Sequence, residues 1–202
     1  MREAVLDAAI EIAIPDGLEA VSFGRIAKQL EISKSGLFSH FATKLELQLA
    51  AVDHAEQRFV TQVFRAEFLS APRGLPRLWA LCDGWLLYAE SVAAKGGCFF
   101  QALVAEYHNR PGPLRDRAKG TVETFNASLQ RAITDAKAAG HLRTDVDPER
   151  FAFELHSLMG GANGGFQLFG DPNVFNLCRD CLRVRLQGMA TASAPPLPVR
   201  EV

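Results

Sequence analysis

Apolar residues recur every three or four positions along most of this chain, which is the spacing of one face of an α-helix. In the first such pattern, Leu6, Ala9, Ile10 and Ala13 share a face. The following Pro15-Asp16-Gly17 predicts the end of that helix, because proline interrupts a helix and glycine is common just after one. Patterns of this kind continue almost to the C-terminus, so the sequence predicts an all-α protein.

Two short helices are predicted next, over residues 22–30 and 33–41. Ser22 and Ser33 are good N-cap residues, and each is followed by apolar positions at helical spacing. A turn of about three residues joins the two helices, and the small Ala27 stands where the second helix could cross the first. This arrangement predicts a helix-turn-helix, although an ordinary pair of core helices would give the same pattern.

The remaining helices are marked by their starts and by their apolar stripes. Thr43 and Glu46 have the spacing of a capping box and predict a long helix that runs toward Phe68. Further helices are predicted from about residue 75, and over 114–139, 148–170 and 173–188. Residues 189–202 are proline-rich and are expected to form a flexible tail.

Composition narrows the class of protein. The chain has 202 residues, 48% of them hydrophobic, which is enough to bury a sizeable core. No apolar run reaches the roughly 18 residues of a membrane span, and the N-terminal segment is acidic where a signal peptide would be basic, so we expect a cytoplasmic protein with no membrane partner. The four cysteines are expected to be free thiols, since a chain of this size does not need disulfides.

Residues 5–49, VLDAAIEIAIPDGLEAVSFGRIAKQLEISKSGLFSHFATKLELQL, resemble the DNA-binding domain of the TetR family of bacterial transcriptional regulators. The resemblance extends over Asp16-Gly17, Ile26-Ala27, Ile32-Ser33-Lys34, Leu37-Phe38 and His40-Phe41. It implies a three-helix DNA-binding domain over residues 1–47, a helical ligand-binding and dimerisation domain over 48–188, and a homodimer on a two-fold symmetric operator in double-stranded DNA.

The resemblance also implies which residues meet DNA. The first residues of the second short helix would enter the major groove, and residues around it would contact phosphates. Lys44 would meet a phosphate together with the free amides of its helix. The DNA-contacting residues expected in this way are Ser22, Arg25, Lys28, Ser33, Lys34, Ser35, Gly36, Phe38, Ser39, His40 and Lys44.

The sequence departs from the family pattern at the turn residue and at Phe38. The turn residue is usually a glycine with positive φ, but here it is Glu31, which should cost on the order of 1 kcal/mol and places a carboxylate near DNA. Phe38 stands where a tyrosine is usual and has no hydroxyl for a phosphate. Residues 1–47 hold five basic and seven acidic side chains, a net charge of −2. We therefore expect modest DNA binding that depends strongly on salt.

Aromatic residues dominate the region after residue 75. They could pack as an ordinary core, or they could line a cavity for an apolar or aromatic effector with few polar anchors. Asn126 and Gln101 are candidate anchors of such a cavity. The candidate ligand-binding residues are Trp79, Cys82, Trp85, Tyr88, Phe99, Phe100, Tyr107, Phe125 and His156. A histidine on an apolar helix face is more often a hydrogen-bonded core residue.

The stretch from Gly97-Cys98 through Glu106-Tyr107 to Arg110-Pro111-Gly112-Pro113-Leu114-Arg115 resembles a segment of the C-terminal domain in one subgroup of the family. Gly96-Gly97 should end one helix, and the prolines should force a turn before the next. Cys98 opens the helix between them and could be a redox sensor, or a small buried apolar side chain.

The last two helices carry apolar stripes that favour an intersubunit four-helix bundle. Gly160, Gly161, Gly164 and Gly165 would each cost about 1 kcal/mol inside a helix, so either a neighbouring helix approaches closely there or the helix breaks. The expected interface residues are Phe151, Leu155, Leu158, Ala162, Phe166, Leu177, Cys181 and Leu182. The Cys178 and Cys181 pair lies within this stripe, without further ligands at zinc spacing, so no metal site or cofactor is expected.

Taken together with the aromatic residues after residue 75, the resemblance implies a repressor that a small apolar or aromatic molecule releases from a palindromic operator. The alternative is a DNA-bound dimer that organises the chromosome or recruits a protein and senses no ligand. An enzyme is not expected, because the chain has no nucleophile elbow, phosphate-binding loop or zinc signature.

Overall fold

The computed structural model of this protein describes residues 1–198, apart from the side chain of Ser35. Within these residues the chain forms α-helices and no β-strand, as the sequence predicts. The helices are α1 (Arg2–Asp16), α2 (Phe23–Gln29), α3 (Lys34–Phe38), α4 (Lys44–Val63), α5 (Ala66–Ser70), α6 (Leu75–Ala93), α7 (Phe99–Tyr107), α8 (Pro113–Ala138), α9 (Pro148–Phe169) and α10 (Asn173–Met189), with a short 3-10 turn at Leu18–Ala20.

Side-chain caps fix several helix starts where the sequence predicts them. Ser22 and Ser33 accept hydrogen bonds from the backbone N–H groups of Arg25 and Gly36, so they cap α2 and α3. Asp147 caps α9 in the same way, with Pro148 as its first residue. Each cap satisfies a backbone donor that the helix itself leaves without a partner.

The chain divides into two compact parts. The first part consists of residues 1–60 and 94–122. The second consists of residues 61–93 and of the chain from residue 123 to 198, the last residue that the structure describes. In the first part, α1 to α3 surround a core that includes Val5, Ala9, Ile26, Leu37 and Phe41, each 1% exposed or less. The predicted helix-turn-helix is therefore packed on the helix that precedes it.

In the second part, α6, α9 and α10 pack around a core of leucines, of which Leu78, Leu86, Leu155 and Leu182 are fully buried. Their packing also encloses a charged group. Arg179 on α10 is 8% exposed and pairs with Asp83 and Glu90 of α6.

The end of α4 differs from the expectation. The helix stops at Val63 instead of running to Phe68, and the short α5 follows. The Val63 carbonyl oxygen lies so close to the backbone of α6 that a Cβ atom on Gly84 would be 2.5 Å from it. This close approach needs glycine at position 84, and such a contact between distant segments is not visible in helical periodicity.

The segment after α10 also differs from the expected flexible tail. The Thr191 hydroxyl donates a hydrogen bond to the Gly140 carbonyl at 2.6 Å, and Leu197 is 6% exposed. Arg183 donates to the carbonyls of Leu197 and Pro198. These contacts hold residues 190–198 against the fold; the remainder of the expected tail, residues 199–202, lies outside the described residues.

Helix α9 continues through its glycines without a break. A Cβ atom added to Gly161 or to Gly164 would have no neighbouring atom within 4 Å. No contact within this subunit therefore requires glycine at these two positions. Along the described residues no helix has both the length and the apolar character needed to cross a membrane.

Candidate nucleic-acid interface

Helices α2 and α3 are held in a helix-turn-helix arrangement by two buried faces. Ile26 and Ala27 are buried on α2, and Leu37 on α3 is fully buried. The backbone N–H of Ile32 donates to the Ala27 carbonyl at 3.0 Å across the turn. The opposite side of α3 is consequently fixed toward solvent.

That solvent side contains most of the residues expected to meet bases. Lys34, Gly36, Phe38, Ser39 and His40 are all exposed. A Cβ on Gly36 would meet only the Ser33 hydroxyl, at 3.7 Å, so another molecule can approach the backbone there. Ser33 is also exposed, whereas the side chain of Ser35 lies outside the described residues.

Phe38 is not an isolated aromatic residue. Its ring is 55% exposed and lies 4.6 Å from the ring of Phe23, centroid to centroid. The pair forms an apolar patch beside the polar residues of α3, and apolar side chains on a recognition helix can contact thymine methyl groups.

Three of the basic residues expected to contact phosphates lie outside α3, on α2 and α4, and two of them are already paired. Arg25 forms an ion pair with Asp16, while Lys44 donates to the Glu19 carboxylate and to the Glu19 carbonyl, both at 2.6 Å. The hydrogen bond from Lys44 holds the pKa of the Glu19 carboxyl below its ordinary value. Lys28 is exposed. A DNA phosphate would have to compete with Asp16 for Arg25 and with Glu19 for Lys44.

The start of α4 is capped from both sides, although the Glu46 carboxylate bonds the residue before Thr43 and not Thr43 itself as in a regular capping box. The Thr43 hydroxyl accepts from the Glu46 backbone N–H at 3.1 Å, and the Glu46 carboxylate accepts from the Ala42 N–H at 2.8 Å. This start places Lys44 in the first turn of α4, beside the 3-10 turn that carries Glu19.

Glu31 has the backbone conformation that the sequence predicts. Its φ is 54°, and among the described residues it has the only positive φ outside glycine. The side chain is exposed. The turn thus keeps the left-handed conformation with a non-glycine residue, which costs on the order of 1 kcal/mol.

Glu106 on α7 has a role that the sequence analysis missed. Its carboxylate accepts the backbone N–H groups of Leu18 at 2.6 Å and Glu19 at 2.9 Å. Gly17 has φ of 85°, and a Cβ there would approach the same carboxylate to 3.0 Å. Tyr107 donates to Glu19 at 3.4 Å. The C-terminal end of α7 is therefore bonded to the segment that carries the partner of Lys44.

The expected ligand-binding residues are nearly all buried, and they fall in both compact parts. Phe99, Phe100 and Tyr107 lie in the first part, where the Phe100 ring packs against Phe59 at 5.5 Å. The residues in the second part are Trp79, Cys82, Trp85, Tyr88, Phe125 and His156. Their role in ligand binding stays a prediction.

His156 has the surroundings of a core residue. Its Nδ1 lies 2.7 Å from the Asn126 side-chain oxygen, and its ring packs edge-on against Phe125 at 5.4 Å. Burial lowers the pKa of the His156 imidazole below its ordinary value. Asn126, named from the sequence as a candidate ligand anchor, thus bonds this ring.

All four cysteines are free thiols, as expected. Burial raises the pKa of the Cys82 thiol far above its ordinary value and that of Cys178 to about 12, which makes both poor nucleophiles. Cys98 is buried, and Cys181 is exposed. Within the described residues, no group of three or more His, Cys, Asp and Glu side chains could hold a metal ion.

The expected dimer interface needs a correction. Phe151, Leu155, Ala162 and Leu182 are each 3% exposed or less, so they belong to the core of the subunit and cannot be reached by a second chain. Leu158 and Phe166 are half-buried, while Leu177 and Cys181 are exposed. The apolar stripe read from the sequence was the inward face of α9.

A second face of α9 and α10 points to solvent. Its apolar and small members are three, four or eight residues apart, all spacings that keep them on one side of a helix, and its large side chains are between 55% and 75% exposed. We define the exposed bundle face as Phe153, Gly161, Gly164, Leu168, Leu177, Cys181 and Val184. An exposed apolar face of this kind is typical of a protein interface.

Two family models match most of the chain. Residues 5–51 match the model described as bacterial regulatory proteins, tetR family. Residues 74–182 match the model described as tetracyclin repressor-like, C-terminal domain. No curated protein matches the sequence.

Solved structures of regulators share the fold. A TetR transcriptional regulator from Chloroflexus aurantiacus is 21% identical, with a TM-score of 0.83 over 94% of this chain and 95% of that one. A TetR-family regulator from Streptomyces coelicolor is 23% identical, with a TM-score of 0.78 over 93% and 95%. The regulator AibR, solved with isovaleryl coenzyme A and operator DNA, is 21% identical, with a TM-score of 0.69 over 90% and 96%.

Proposed function

This chain belongs to the tetR family of regulatory proteins, which are DNA-binding transcription factors and not enzymes, and from that membership we propose that it is a ligand-responsive repressor. It binds a palindromic operator as a homodimer and leaves the operator when a small apolar or aromatic molecule binds. Because bacterial DNA lies in the cytoplasm, that is where the protein acts.

The observation that carries the proposal is the exposed side of α3. This helix is anchored by Leu37 and presents Lys34 and Gly36 to solvent, and Ser39 and His40 are exposed directly after it. Lysine can bond guanine, and serine can bond either base of a pair, while glycine allows the backbone to approach. These four exposed residues on and just after one short helix match what a major-groove reader requires.

Phosphate contacts then set the position of the domain on the duplex. Lys28 is exposed on α2, and Arg25 and Lys44 become available if phosphates replace Asp16 and Glu19 as their partners. Those exchanges make operator binding weaker than that of a domain with unpaired cations. They support modest and strongly salt-dependent affinity.

Dimerisation uses the exposed bundle face. Gly161 and Gly164 have open space around them, so helices of a second subunit could approach closely there. Phe153 and Val184, 72% and 69% exposed, would lose most of their contact with water. Two copies of this face, related by a two-fold axis, would form a four-helix bundle.

Effector binding acts by shifting the population of two dimer conformations. The buried aromatic residues of α7 supply effector contacts. Because Glu106 and Tyr107 on α7 bond the segment at Leu18 and Glu19, a displacement of α7 moves the base of the helix-turn-helix. The two recognition helices then no longer match major grooves one turn apart, about 34 Å.

The test begins with the operator. Purified protein would select duplexes from a random pool, and the enriched sequence would be used in gel shifts between 50 and 200 mM salt. We expect a palindromic site and a dimeric complex, with affinity falling at least about tenfold over that range. Failure to enrich any site, or a tight complex indifferent to salt, would overturn the DNA-binding part.

Release is tested separately with extracts of the producing cells and a panel of apolar aromatic compounds. A compound that frees the operator supports the repressor mechanism. A dimer that holds its operator against every extract and compound would instead be a structural or recruiting protein.

A further inference from the structure

A small cleft lies where the segment between α7 and α8 meets the start of α4. Its volume is about 130 Å³, and all the residues around it belong to the first compact part. Two of its lining residues are arginines, Arg110 and Arg115, and Leu45 lines it from the first turn of α4. Leu45 directly follows Lys44, which is expected to meet a DNA phosphate. The cleft therefore adjoins the expected DNA-binding surface.

A chain of contacts links Lys44 to Arg110. The Lys44 amine donates to the Glu19 carboxylate at 2.6 Å, and the Tyr107 hydroxyl donates to the same carboxylate at 3.4 Å. The guanidinium of Arg110 lies 5.8 Å from the centroid of the Tyr107 ring. Only Glu19 and Tyr107 thus separate the two cations, so a DNA strand bound at Lys44 would also lie near Arg110.

Arg110 is available to a new partner. Its side chain is exposed, and among the described residues its guanidinium forms no ion pair or hydrogen bond, only the contact with the Tyr107 ring. Arg25 and Lys44 must each give up a carboxylate in order to bind a phosphate. Arg110 gives up nothing, because a guanidinium can keep a ring against its face while its N–H groups bond a phosphate.

Arg115 lies beside the same cleft. Its Nε donates to the His108 carbonyl at 3.0 Å, which ties the first turn of α8 to the segment before it. Asp116 follows and is exposed. Residues 108–116 therefore carry two arginines against one carboxylate, whereas residues 1–47 carry a net charge of −2.

The adjoining ends of α4 and α7 carry carboxylates. Glu46 and Glu106 lie there, each bonded to backbone N–H groups, and Glu19 is paired with Lys44. With these groups included, the surroundings have no excess of positive charge. An anion would therefore be held by direct bonds to a free guanidinium and not by a basic field, and exposed charges further away are screened by salt. The cleft is smaller than the roughly 300 Å³ of the smallest usual small-molecule sites, so it suits one phosphate group better than a whole effector.

We propose that Arg110, with Arg115 beside it, binds a phosphate of the DNA backbone outside the helix-turn-helix, next to the phosphate that Lys44 meets. This inference rests on the proposed DNA binding and adds one contact from each subunit. Arg110 follows the end of α7 by three residues. A displacement of α7 by an effector would therefore also withdraw this contact.

The salt dependence of DNA binding tests the proposal. Fluorescence anisotropy of the full chain would be measured on the selected operator, or on a random-sequence duplex if none is selected, since phosphate contacts do not depend on sequence. Arg110→Gln should reduce the slope of log K against log salt by about 2 for the dimer. Arg110→Lys keeps a charge and should retain most of the wild-type slope. An Arg110→Gln protein with the wild-type slope would overturn the proposal.

Arg131→Gln is the matched control. It removes the same charge from an exposed position of α8, about 24 Å further along the helix than Arg115, and should keep the wild-type slope. An equal reduction in this variant would show an effect of overall charge and refute a contact at Arg110. Thermal unfolding followed by circular dichroism checks that both variants keep the fold.

Calorimetry with inorganic phosphate separates the DNA backbone from a free anion. We expect no binding of inorganic phosphate in the absence of DNA. Phosphate binding that Arg110→Gln abolishes, together with an unchanged salt slope, would assign the cleft to a free anion and overturn the DNA contact. Wild-type protein that binds no duplex at any salt concentration would overturn the repressor and this contact together, whereas an unchanged slope in Arg110→Gln would remove this contact alone.

Discussion

The Glu106 carboxylate accepts the backbone N–H of Leu18 at 2.6 Å, although the two residues are 88 positions apart. The same carboxylate accepts the next N–H, that of Glu19. It therefore caps the 3-10 turn between α1 and α2 in the way an N-terminal side chain caps a helix. The cap comes from α7, so the turn is tied to a helix outside the DNA-binding domain predicted from the sequence.

Replacing Glu106 should remove the hydrogen bonds between α7 and the 3-10 turn at Leu18–Ala20. We expect Glu106→Ala to lower the free energy of unfolding by about 2 kcal/mol, because two backbone donors lose an ionised acceptor. Glu106→Gln keeps one acceptor oxygen and should lose less. Urea unfolding followed by circular dichroism measures both. If Glu106→Ala unfolds at the wild-type urea concentration, the contact does not stabilise the fold.

Glu31 combines a conformational cost with an unfavourable charge, and two variants separate them. Glu31→Gly relieves the positive φ and should raise the free energy of unfolding by about 1 kcal/mol. Glu31→Gln keeps the strain and should leave stability unchanged. Both should bind the operator more tightly in gel shifts, because both remove a carboxylate near phosphates. A stability gain in Glu31→Gln would refute the conformational explanation.

Lys28 should contribute to the salt dependence of operator binding. Removal of one phosphate contact from each subunit should reduce the slope of log K against log salt by about 2 for the dimer. Fluorescence anisotropy at several salt concentrations gives this slope for wild type and Lys28→Ala. Arg131→Ala, which removes an exposed cation from α8, is the control and should keep the wild-type slope.

The exposed bundle face predicts where a charge breaks the dimer. Phe153→Glu places two like charges near the two-fold axis and should raise the dimer dissociation constant at least about tenfold. Leu69→Glu changes a residue of similar exposure outside that face, 68% against 72%, and should leave the dimer intact. Sedimentation velocity over a range of concentrations measures both. A Phe153→Glu protein that stays dimeric at every concentration would show that the interface lies elsewhere.

Low pH should lower the stability of the first compact part, because it protonates the Asp7 carboxylate. Partial burial opposes ionisation of this carboxyl, but hydrogen bonds and charge from His54 and Arg58 outweigh it and hold its pKa below the ordinary 3.8. The stabilisation is therefore fully present above pH 3.8 and is lost as the pH falls through the lowered value. Because the pair is partly exposed, its contribution is below about 1 kcal/mol. Urea unfolding at pH 7 and pH 2.5 should show a smaller acid loss in Asp7→Asn than in wild type.

Local signals explain which parts of the fold were predictable. Ser22, Ser33 and Asp147 each accept from the backbone N–H three residues further on, so their caps are visible in the sequence. The apolar stripe of α9 was equally visible, but it could not tell whether Leu155 faces its own subunit or a second one. Periodicity identifies an apolar face and leaves its partner open.

Long-range contacts explain what was missed. Nothing near Glu106 in the sequence indicates that its carboxylate bonds the amides at Leu18 and Glu19. The end of α4 lies against Gly84, a contact between segments about twenty residues apart that no local pattern indicates. The solvent side of α3 was predictable because Leu37 on α3 and Phe41 shortly after it, both buried, mark the opposite side.

The exposed carboxylate of Glu31 bears on how fast a regulator of this kind finds its site. A protein searches the chromosome by brief, sequence-independent encounters with phosphates, and their lifetime grows with attraction to the polyanion. One extra negative charge on each subunit shortens every such encounter. We therefore expect a regulator that leaves incorrect sequences quickly.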